Sequence, residues 1–408
     1  MITNAPPPVP PRSLSIYIIA AEESGDALGA ALAHALRDRE GATLRLCGIG
    51  GRAMAAAGIR SPFPIDDLAI FGLIAIPQRL PTIFRRIREA ARTVVAARPD
   101  ALVIVDSPDF THRVARMVRR LAPEIPILDY VSPSVWAWRP GRARAMCAYV
   151  DRVLAILPFE PEVHAALGGP PCTYVGHPLV ERIAELRPNA DEARRRNADP
   201  PIVLLLPGSR SSEVHRLLGI FGAAIARVAA RAGPMDVVLP TVPHLAPKVR
   251  EGISNWTVKP RIVVEPAEKW AAFRNARAAL AASGTVTLEL ALSGVPTVAA
   301  YRVHPIEAII ARLIRLQAKL PSLILANLVI GENVVPELLQ EDCTPERLAD
   351  ALLPLLSDTP ERRRQVEGFG RLDRIMAIGS LRSSAKAAAI VLDVARRGRE
   401  AATSEAAK

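Results

Sequence analysis

Acidic and hydroxyl side chains follow two predicted strands in the first half of this 408-residue chain. Glu22 and Ser24 come at the end of the first strand, and Gly25 follows where a helix is predicted to begin. Asp106 comes directly after the strand Ala101–Val105. A carboxylate at this end of a parallel strand can take a proton from a substrate hydroxyl. These residues predict base chemistry, and the structural alternatives are a helix cap at Ser24 and a turn at Asp106.

The second half contains a comparable turn that is suited to phosphate. Gly208, Ser209 and Arg210 follow the strand Ile202–Leu206 and precede a helix. Backbone N–H groups at such a turn, with the planar fork of an arginine, can hold a diphosphate. The chain has no G-x-x-x-x-G-K-[ST] sequence, so this is not a P-loop.

A second strand in this half also ends at a predicted helix start. Ser283, Gly284 and Thr285 stand at this junction, and Glu289 is a single acid in an otherwise apolar stretch. A helix N-terminus favours phosphate, and a carboxylate one turn later can accept both ribose hydroxyls. A lone acid is poorly explained as core. The pattern predicts a nucleotide site.

A loop rich in aromatic residues follows the strand Pro126–Val131. It contains Trp136, Trp138 and Arg139. Tryptophan normally buries its ring, and arginine is a planar clamp for anions. The loop therefore predicts either a ligand surface or a patch for packing between domains.

Basic residues are concentrated in two amphipathic segments. Arg79–Arg98 contains six arginines and one glutamate, with Phe84, Arg85 and Arg88 among its residues, and an apolar patch, Phe71–Ile76, precedes it. Ile306–Leu320 combines an apolar face with basic edges. Such helices can lie on an anionic bilayer. The alternative is a helix that covers a sheet and turns a basic face to solvent.

Composition excludes several classes of protein. Half of the residues are apolar, and 52 Lys plus Arg against 41 Asp plus Glu give a net charge of +11. The charge favours an anionic partner, but scarce aromatic residues and the absence of a recognisable module argue against nucleic acid. The four cysteines form no C-x-x-C pair and the seven histidines show no metal spacing, so we expect a reducing cytoplasm and no metal site.

Short apolar runs alternate with helix-length segments along the chain, as in βαβ units. Ala278–Ala300 is long enough to cross a membrane, but two glycines and a proline divide it into strand, helix and strand, so a soluble protein is expected. The predicted fold is two doubly wound α/β domains facing across a cleft. Its boundaries are a proline-rich leader at 1–12, domains at 13–185 and 200–360, C-terminal helices at 361–398 and a tail at 399–408.

Taken together, these segments resemble the lipid-A-disaccharide synthase family. The run Y-V-S-P-S-V-W-A-W-R is highly specific, because no rule of folding requires it. Ala21 stands where the family usually has glycine. The matching segments are Glu22-x-Ser24-Gly25-Asp26, Asp106 to Phe110, Tyr130 to Arg139, Leu157 to Glu160, Leu206 to Arg210, Ser283 to Thr285 with Glu289, and Asn333 to Gln340.

The resemblance implies a Rossmann-like GT-B fold and an inverting, metal-independent glycosyl transfer without a cofactor. The donor would be UDP-2,3-diacylglucosamine and the acceptor 2,3-diacylglucosamine 1-phosphate, joined β(1→6) with release of UDP. Asp106 would be the base, and Glu22 and Ser24 would face the reacting sugars. The UDP-sugar site would contain Gly208, Ser209, Arg210, Ser283, Gly284, Thr285, Glu289 and Asn327.

The residues expected on the acceptor and lipid side are Trp136, Trp138, Arg139, Phe84, Arg85 and Arg88. The protein would be cytoplasmic and would associate peripherally with the anionic inner membrane, and a homodimer is compatible with the sequence. Two other classes remain open. A UDP-sugar 2-epimerase would use the same fold and nucleotide site, and a non-catalytic protein would bind acyl sugars or membranes.

Overall fold

The chain forms two compact units in a computed structural model. Unit 1 contains Met1–Pro178 and Ile378–Lys408, and unit 2 contains Leu179–Ala377. The sequence placed the junction near residue 190 and grouped the C-terminal helices, whereas the structure gives one of those helices to each unit. The described residues are 13–68, 76–302, 322–379 and 381–406. The leader, most of the predicted patch Phe71–Ile76 and the segment Ile306–Leu320 lie outside them.

Unit 1 is built on a six-stranded parallel sheet in the order β2-β1-β3-β4-β5-β6. Its strands are β1 Ser15–Ala20, β2 Arg45–Ile49, β3 Ala101–Val105, β4 Ile127–Tyr130, β5 Arg152–Ala155 and β6 Cys172–Tyr174. The strand order reverses between β1 and β3. Ligands of open α/β sheets bind beside the carboxyl ends of the strands at such a reversal.

Helices cover both faces of this sheet, which explains why the central strands β1 and β3 are almost entirely apolar and buried. Alternate side chains of β3 enter different cores: Val103 packs with the first and last helices of the unit, and Ile104 packs on the opposite face. The helices are α1 Glu23–Glu40, α2 Arg52–Ala56, α3 Ile76–Ala97, α4 Pro108–Leu121, α5 Gly141–Met146, α6 Glu160–Ala166 and, at the C-terminus, Ser383–Ala406. That final helix runs through most of the segment predicted as a tail.

Unit 2 repeats the architecture with the strand order β12-β11-β10-β7-β8-β9. Its strands are β7 Ile202–Leu206, β8 Asp236–Pro240, β9 Arg261–Val263, β10 Ala278–Ala282, β11 Thr297–Tyr301 and β12 Glu337–Leu339. The reversal lies between β7 and β10. The stretch Ala278–Ala300 is a strand, a helix and a strand, as its glycines and proline predicted.

The helices of unit 2 again pack on both faces of the sheet. A short helix, α7 Pro178–Glu181, leads into the unit. The others are α8 Ile183–Leu186, α9 Ala190–Asn197, α10 Ser211–Ala232, α11 Ala246–Gly252, α12 Pro266–Asn275, α13 Thr285–Leu292, α14 Leu325–Ile330, α15 Pro345–Leu352 and α16 Pro360–Ile375; the final helix of unit 1, Ser383–Ala406, is α17. The predicted fold class, two doubly wound α/β domains, is confirmed.

Candidate functional site

Asp106 lies at the strand reversal of unit 1 in an unusual backbone conformation. It directly follows β3, whose last residue, Val105, pairs with Ala20 of β1. Asp106 and Ser107 have φ angles of 53° and 47°, in the left-handed region that non-glycine residues rarely adopt. Such strain persists where the surrounding structure holds it in place, and it clusters at functional sites.

Hydrogen bonds to the backbone hold this turn. The Asp106 amide donates to the Tyr130 carbonyl oxygen at 3.0 Å, and Thr111 Oγ1 donates to the Asp106 carbonyl oxygen at 2.6 Å. The amides of Phe110 and Thr111 both donate to the Ser107 carbonyl oxygen. These bonds fix the backbone and leave the Asp106 carboxylate, which is partly exposed, for other partners.

Ser24 provides one such partner, because its Oγ donates to Asp106 Oδ2 at 3.1 Å. The sequence placed Ser24 at the cap of the helix, but α1 begins at Glu23 and its N-cap is Glu22, whose exposed side chain makes no capping bond. Ser24 therefore lies inside the first turn, where its hydroxyl reaches the carboxylate. The structure brings Ser24 and Asp106 together.

The close approach of α1 to β3 depends on Gly25. A Cβ atom at this position would lie 3.1 Å from the Val105 carbonyl oxygen and 3.6 Å from Asp106 Cβ. The sequence predicted that Gly25 lets a ligand approach the helix, whereas the atoms closest to it belong to Val105, Ala20 and Asp106. The missing side chain brings the first turn of the helix against the end of the strand.

Asp26 is a structural acid that the sequence reading did not single out. It is buried, and its carboxylate accepts hydrogen bonds from the amides of Gly51, Ala53 and Met54 at 2.7 to 3.0 Å. It thereby caps α2. The sequence signal for Asp26 was its position in the segment Glu22-x-Ser24-Gly25-Asp26.

The aromatic loop after β4 begins and ends at left-handed residues. Val131 has φ 82° and Arg139 has φ 54°. Trp136 packs edge-on against Phe159 with the ring centroids 5.5 Å apart, while Trp138 is 44% exposed beside the guanidinium of Arg139. One tryptophan therefore packs within the unit, and the other faces solvent.

Buried polar groups support this loop from below. Ser132 Oγ and His164 Nε2 are 2.8 Å apart, and both side chains are buried. The Leu157 amide donates to Glu160 Oε2 at 3.0 Å. Burial raises the pKa of Glu160 to about 8, even though the Leu157 amide and the Trp136 indole lower it. Glu160 is therefore a neutral acid across most of the physiological range.

At the strand reversal of unit 2, Leu206 of β7 pairs with Ala281 of β10, so the turns that follow these strands are neighbours. The Ser209 and Arg210 amides, expected to hold phosphate, donate to Glu213 Oε2 at 3.2 and 3.3 Å. Arg210 Nη1 also lies 3.3 Å from Glu213, and the Arg210 side chain is 80% exposed. The guanidinium is accessible, while a carboxylate of the chain occupies the two amides.

Gly208 is needed for this arrangement. Its φ is 116°, and a Cβ atom would lie 2.4 Å from Glu213 Oε2. Gly284 differs: its φ of 160° is extended, and a Cβ atom would meet nothing within 4 Å. The second turn therefore opens to solvent at Gly284 and Thr285, and Ser283 before them is partly exposed.

Glu289 and Asn327 already have partners within unit 2. Glu289 Oε2 accepts from Lys269 Nζ at 2.8 Å, a lysine that the sequence reading did not identify. Asn327 is buried: its Nδ2 donates to the Val335 carbonyl oxygen, and its Oδ1 accepts from the Val334 and Val335 amides. Asn327 thus joins α14 to the segment before β12, and its predicted contact with the donor stays a prediction.

Helix α3 covers the sheet with its apolar side. Ile87, Ala91 and Val94 are buried in the core, whereas Phe84 (46% exposed), Arg85 and Arg88 face solvent. Most of the apolar side chains that could insert into a bilayer are therefore buried in the core of unit 1 instead. Among the described residues, no helix is both long and apolar enough to cross a membrane, and no cluster of His, Cys, Asp and Glu is arranged to hold a metal.

Solved structures share this fold at low sequence identity. The kitacinnamycin glycosyltransferase superposes with a TM-score of 0.61 at 17% identity, covering 94% of this chain and 99% of that one. MurG of Acinetobacter baumannii gives 0.57 at 16% identity, with 93% and 99% covered. The UDP-GlcNAc 2-epimerase of Neisseria meningitidis, bound to UDP-GlcNAc, gives 0.60 at 12% identity, with 94% and 100% covered. At these identities, the likeness shows the GT-B fold alone.

Sequence relatives are far more similar. The lipid-A-disaccharide synthase of Bradyrhizobium diazoefficiens is 59% identical over 384 residues, which cover 94% of this chain and 97% of that protein. The synthase of Rhodospirillum centenum is 44% identical over 387 residues, with 94% and 95% covered. A family model described as lipid-A-disaccharide synthetase matches residues 16–391. With the motifs at both strand reversals, these matches show that the chain belongs to the lipid-A-disaccharide synthase family of glycosyltransferases.

Proposed function

We propose that the enzyme transfers the 2,3-diacylglucosamine unit of UDP-2,3-diacylglucosamine to the 6-hydroxyl of 2,3-diacylglucosamine 1-phosphate. The products are a β(1→6)-linked disaccharide 1-phosphate and UDP. Family membership supports the synthesis of the lipid A disaccharide. The particular substrates, the inversion and the catalytic base are part of the proposal.

The observation that carries the proposal is the Asp106 carboxylate at the strand reversal, with Ser24 Oγ 3.1 Å away. Asp106 takes the proton from the acceptor 6-hydroxyl as that oxygen attacks C1 of the donor sugar. The bond between C1 and the diphosphate oxygen breaks, and its electron pair leaves with UDP. One displacement at C1 inverts its configuration and requires no covalent enzyme intermediate. Ser24 orients the carboxylate, and exposed Glu22 lies on the same rim.

Unit 2 would bind the donor. A diphosphate leaving group needs positive charge more than it needs a proton, and the exposed Arg210 guanidinium and the open N-terminal turn at Gly284 supply it. Two contacts must change when the nucleotide binds. Phosphate oxygens would replace Glu213 at the Ser209 and Arg210 amides, and ribose hydroxyls would compete with Lys269 for Glu289.

We also propose that α3 brings unit 1 to the anionic cytoplasmic surface of the inner membrane. Arg85, Arg88 and Arg92 line one groove with a single acid, Glu89, and exposed Phe84 lies on the same helix. Attraction between arginines and anionic lipids, rather than deep insertion of an apolar face, would drive this association, because the core buries Ile87 and Val94.

The test is to incubate the purified protein with both acylated sugars and to follow UDP release together with the mass of the lipid product. We expect one disaccharide 1-phosphate for each UDP released, and no turnover of the donor alone. Turnover of the UDP-sugar without acceptor would support the epimerase instead. Binding of both substrates without any UDP release would contradict catalysis.

A further inference from the structure

The exposed indole of Trp138 has two guanidinium groups beside it. The Cζ atom of Arg139 lies 4.3 Å from the ring centroid, and that of Arg142 lies 5.9 Å from it. Arg139 is exposed, so its fork of N–H donors remains accessible to a ligand. The combination offers two positive charges and one flat apolar surface at the same place.

The loop that carries this group is built before any ligand arrives. A β-branched residue in the left-handed region, as Val131 is, is strained and persists only where its surroundings enforce it. Here the Val131 amide donates to the Leu154 carbonyl oxygen at 3.0 Å, and the Trp138 amide donates to the Ser134 carbonyl oxygen at 3.1 Å. Buried Ser132 and His164 anchor the loop below. The strain and its supports indicate a preorganised surface.

Arg142 points to the kind of ligand. Its side chain is only 17% exposed, and its Nη2 lies 3.6 Å from Oδ1 of Asp109, a carboxylate that is 83% exposed. This distance is too long for a direct hydrogen bond, and an ion pair with so exposed a partner contributes little. A largely buried guanidinium with such a weak anionic contact is suited to a further, doubly charged anion.

The position of Arg142 connects the predicted anion site to the proposed catalytic base. Asp109 lies in the first turn of α4, three residues after Asp106, and β4, which leads into the loop, pairs with β3 at Val105 and Tyr130. Arg142 therefore lies beside the segment that carries the proposed base, and Trp138 and Arg139 are grouped with it. A guanidinium group can bind phosphate through two parallel hydrogen bonds.

We propose that Trp138, Arg139 and Arg142 form the subsite for the phosphomonoester of the acceptor. This inference rests on the proposed function, because it names the acceptor group that the site recognises. The subsite selects a phosphorylated sugar over the same sugar without phosphate, independently of the acyl chains. The headgroup of an anionic lipid has the same chemistry, so the experiment must separate the two sources.

The experiment measures initial rates for Arg139→Asn and Arg142→Gln with 2,3-diacylglucosamine 1-phosphate and with 2,3-diacylglucosamine. Asparagine is chosen at 139 because it tolerates the left-handed backbone. We expect each variant to raise the KM of the phosphorylated acceptor about tenfold or more. The kcat and the KM of the donor should stay within about twofold, since uniform binding alone is lost. Rates with the acceptor that lacks phosphate should match those of wild type.

Arg144→Gln is the matched control, because Arg144 is an exposed arginine on the same helix, α5. Equal losses with both acceptors, or no loss with either, would overturn the subsite. Weaker binding to vesicles containing anionic lipid, with unchanged acceptor KM, would assign the arginines to the membrane instead. If wild type makes no disaccharide, the proposed function fails. Binding of the two acceptors to wild type and variants, measured by calorimetry, then tests the subsite by itself.

Discussion

Ser24 Oγ donates a hydrogen bond to Asp106 Oδ2 across 3.1 Å, although the two residues are 82 positions apart in the chain. The bond joins the first turn of α1 to the end of β3 at the strand reversal of unit 1. Asp106, the acceptor, and Ser107 after it both have left-handed backbone conformations. Hydrogen bonds to the backbone thus fix the position of Asp106, and the Ser24 hydroxyl fixes the orientation of its carboxylate.

Replacement of Asp106 by Asn should lower kcat by about 10²–10⁴-fold, because an amide cannot take the proton from the acceptor hydroxyl. The KM values of both substrates and the thermal unfolding curve should stay close to wild type. Steady-state kinetics of UDP release and circular dichroism provide the measurements. A variant that kept more than a tenth of the wild-type rate would exclude Asp106 as the base.

Ser24→Ala should lower kcat by about tenfold, the effect expected from losing one hydrogen bond to a charged group. Ser24→Thr retains the hydroxyl and should recover most of the rate. In the Asp106→Asn background, the same Ser24→Ala change should have little further effect, because the group that it orients is gone. Additive losses in the double variant would show that Ser24 acts elsewhere.

The strands could be predicted from sequence because each face of both sheets is covered. Val103 and Ile104, for example, must both be apolar since they enter different cores. The short edge strand Glu337–Leu339 was missed, because three residues beginning with an acid give no such run. The sequence also did not predict that the two C-terminal helices belong to different units, since nothing in the sequence of α17 specifies that it packs against α1.

The candidate site could be predicted only as far as the ends of strands. A parallel sheet brings the residues after its strands to one edge, so the positions of Asp106 and Arg210 at these edges could be predicted from sequence. Hydrogen bonds between residues far apart in the sequence could not be predicted. The bond from Ser24 to Asp106 depends on three-dimensional packing, because 82 positions separate the two residues. The contact of Glu213 with the Ser209 amide is local to the start of α10, and the hydrogen bonds of Asn327 reach only to the residues before β12.

Two glycines of unit 2 should respond to alanine in opposite ways. Gly208→Ala should destabilise the protein by about 1–3 kcal/mol, because φ is 116° and the new methyl group would overlap Glu213. Gly284→Ala should leave the free energy of unfolding within about 0.5 kcal/mol of wild type, because its backbone is extended and the space is open.

If the donor diphosphate approaches that open turn, however, Gly284→Ala should still raise the donor KM. Urea unfolding and initial rates at varied donor separate the two effects. An unchanged donor KM in a stable Gly284→Ala protein would remove this turn from the proposed nucleotide site.

Arg210→Ala should weaken the binding of UDP by about 10–100-fold, as expected for the loss of charged hydrogen bonds to phosphate. Arg227→Ala is the control, because Arg227 lies in α10, the helix that Arg210 precedes, and pairs with Glu346 instead. Titration calorimetry with UDP at two salt concentrations gives the comparison, and the wild-type affinity should fall with salt more steeply than that of the Arg210 variant. Equal affinities for wild type and Arg210→Ala would contradict the donor assignment.

Glu160 should make the stability of the protein depend on pH. Burial holds its folded-state pKa at about 8, above the ordinary value of 4.5 that applies to the unfolded chain. Between these values, the folded state keeps a proton that the unfolded state has released. The free energy of unfolding should therefore fall as the pH rises through this window.

Glu160→Gln cannot ionise, so its stability relative to wild type should increase from pH 5 to pH 8 by an amount on the order of a few kcal/mol. Urea unfolding of both proteins at several pH values tests this, since the difference cancels groups that they share, such as buried His177, whose pKa is lowered to about 4. Glu162→Gln, a change at an exposed acid of the same helix, should give no such trend. A flat difference between Glu160→Gln and wild type would mean that Glu160 is ionised in the folded protein.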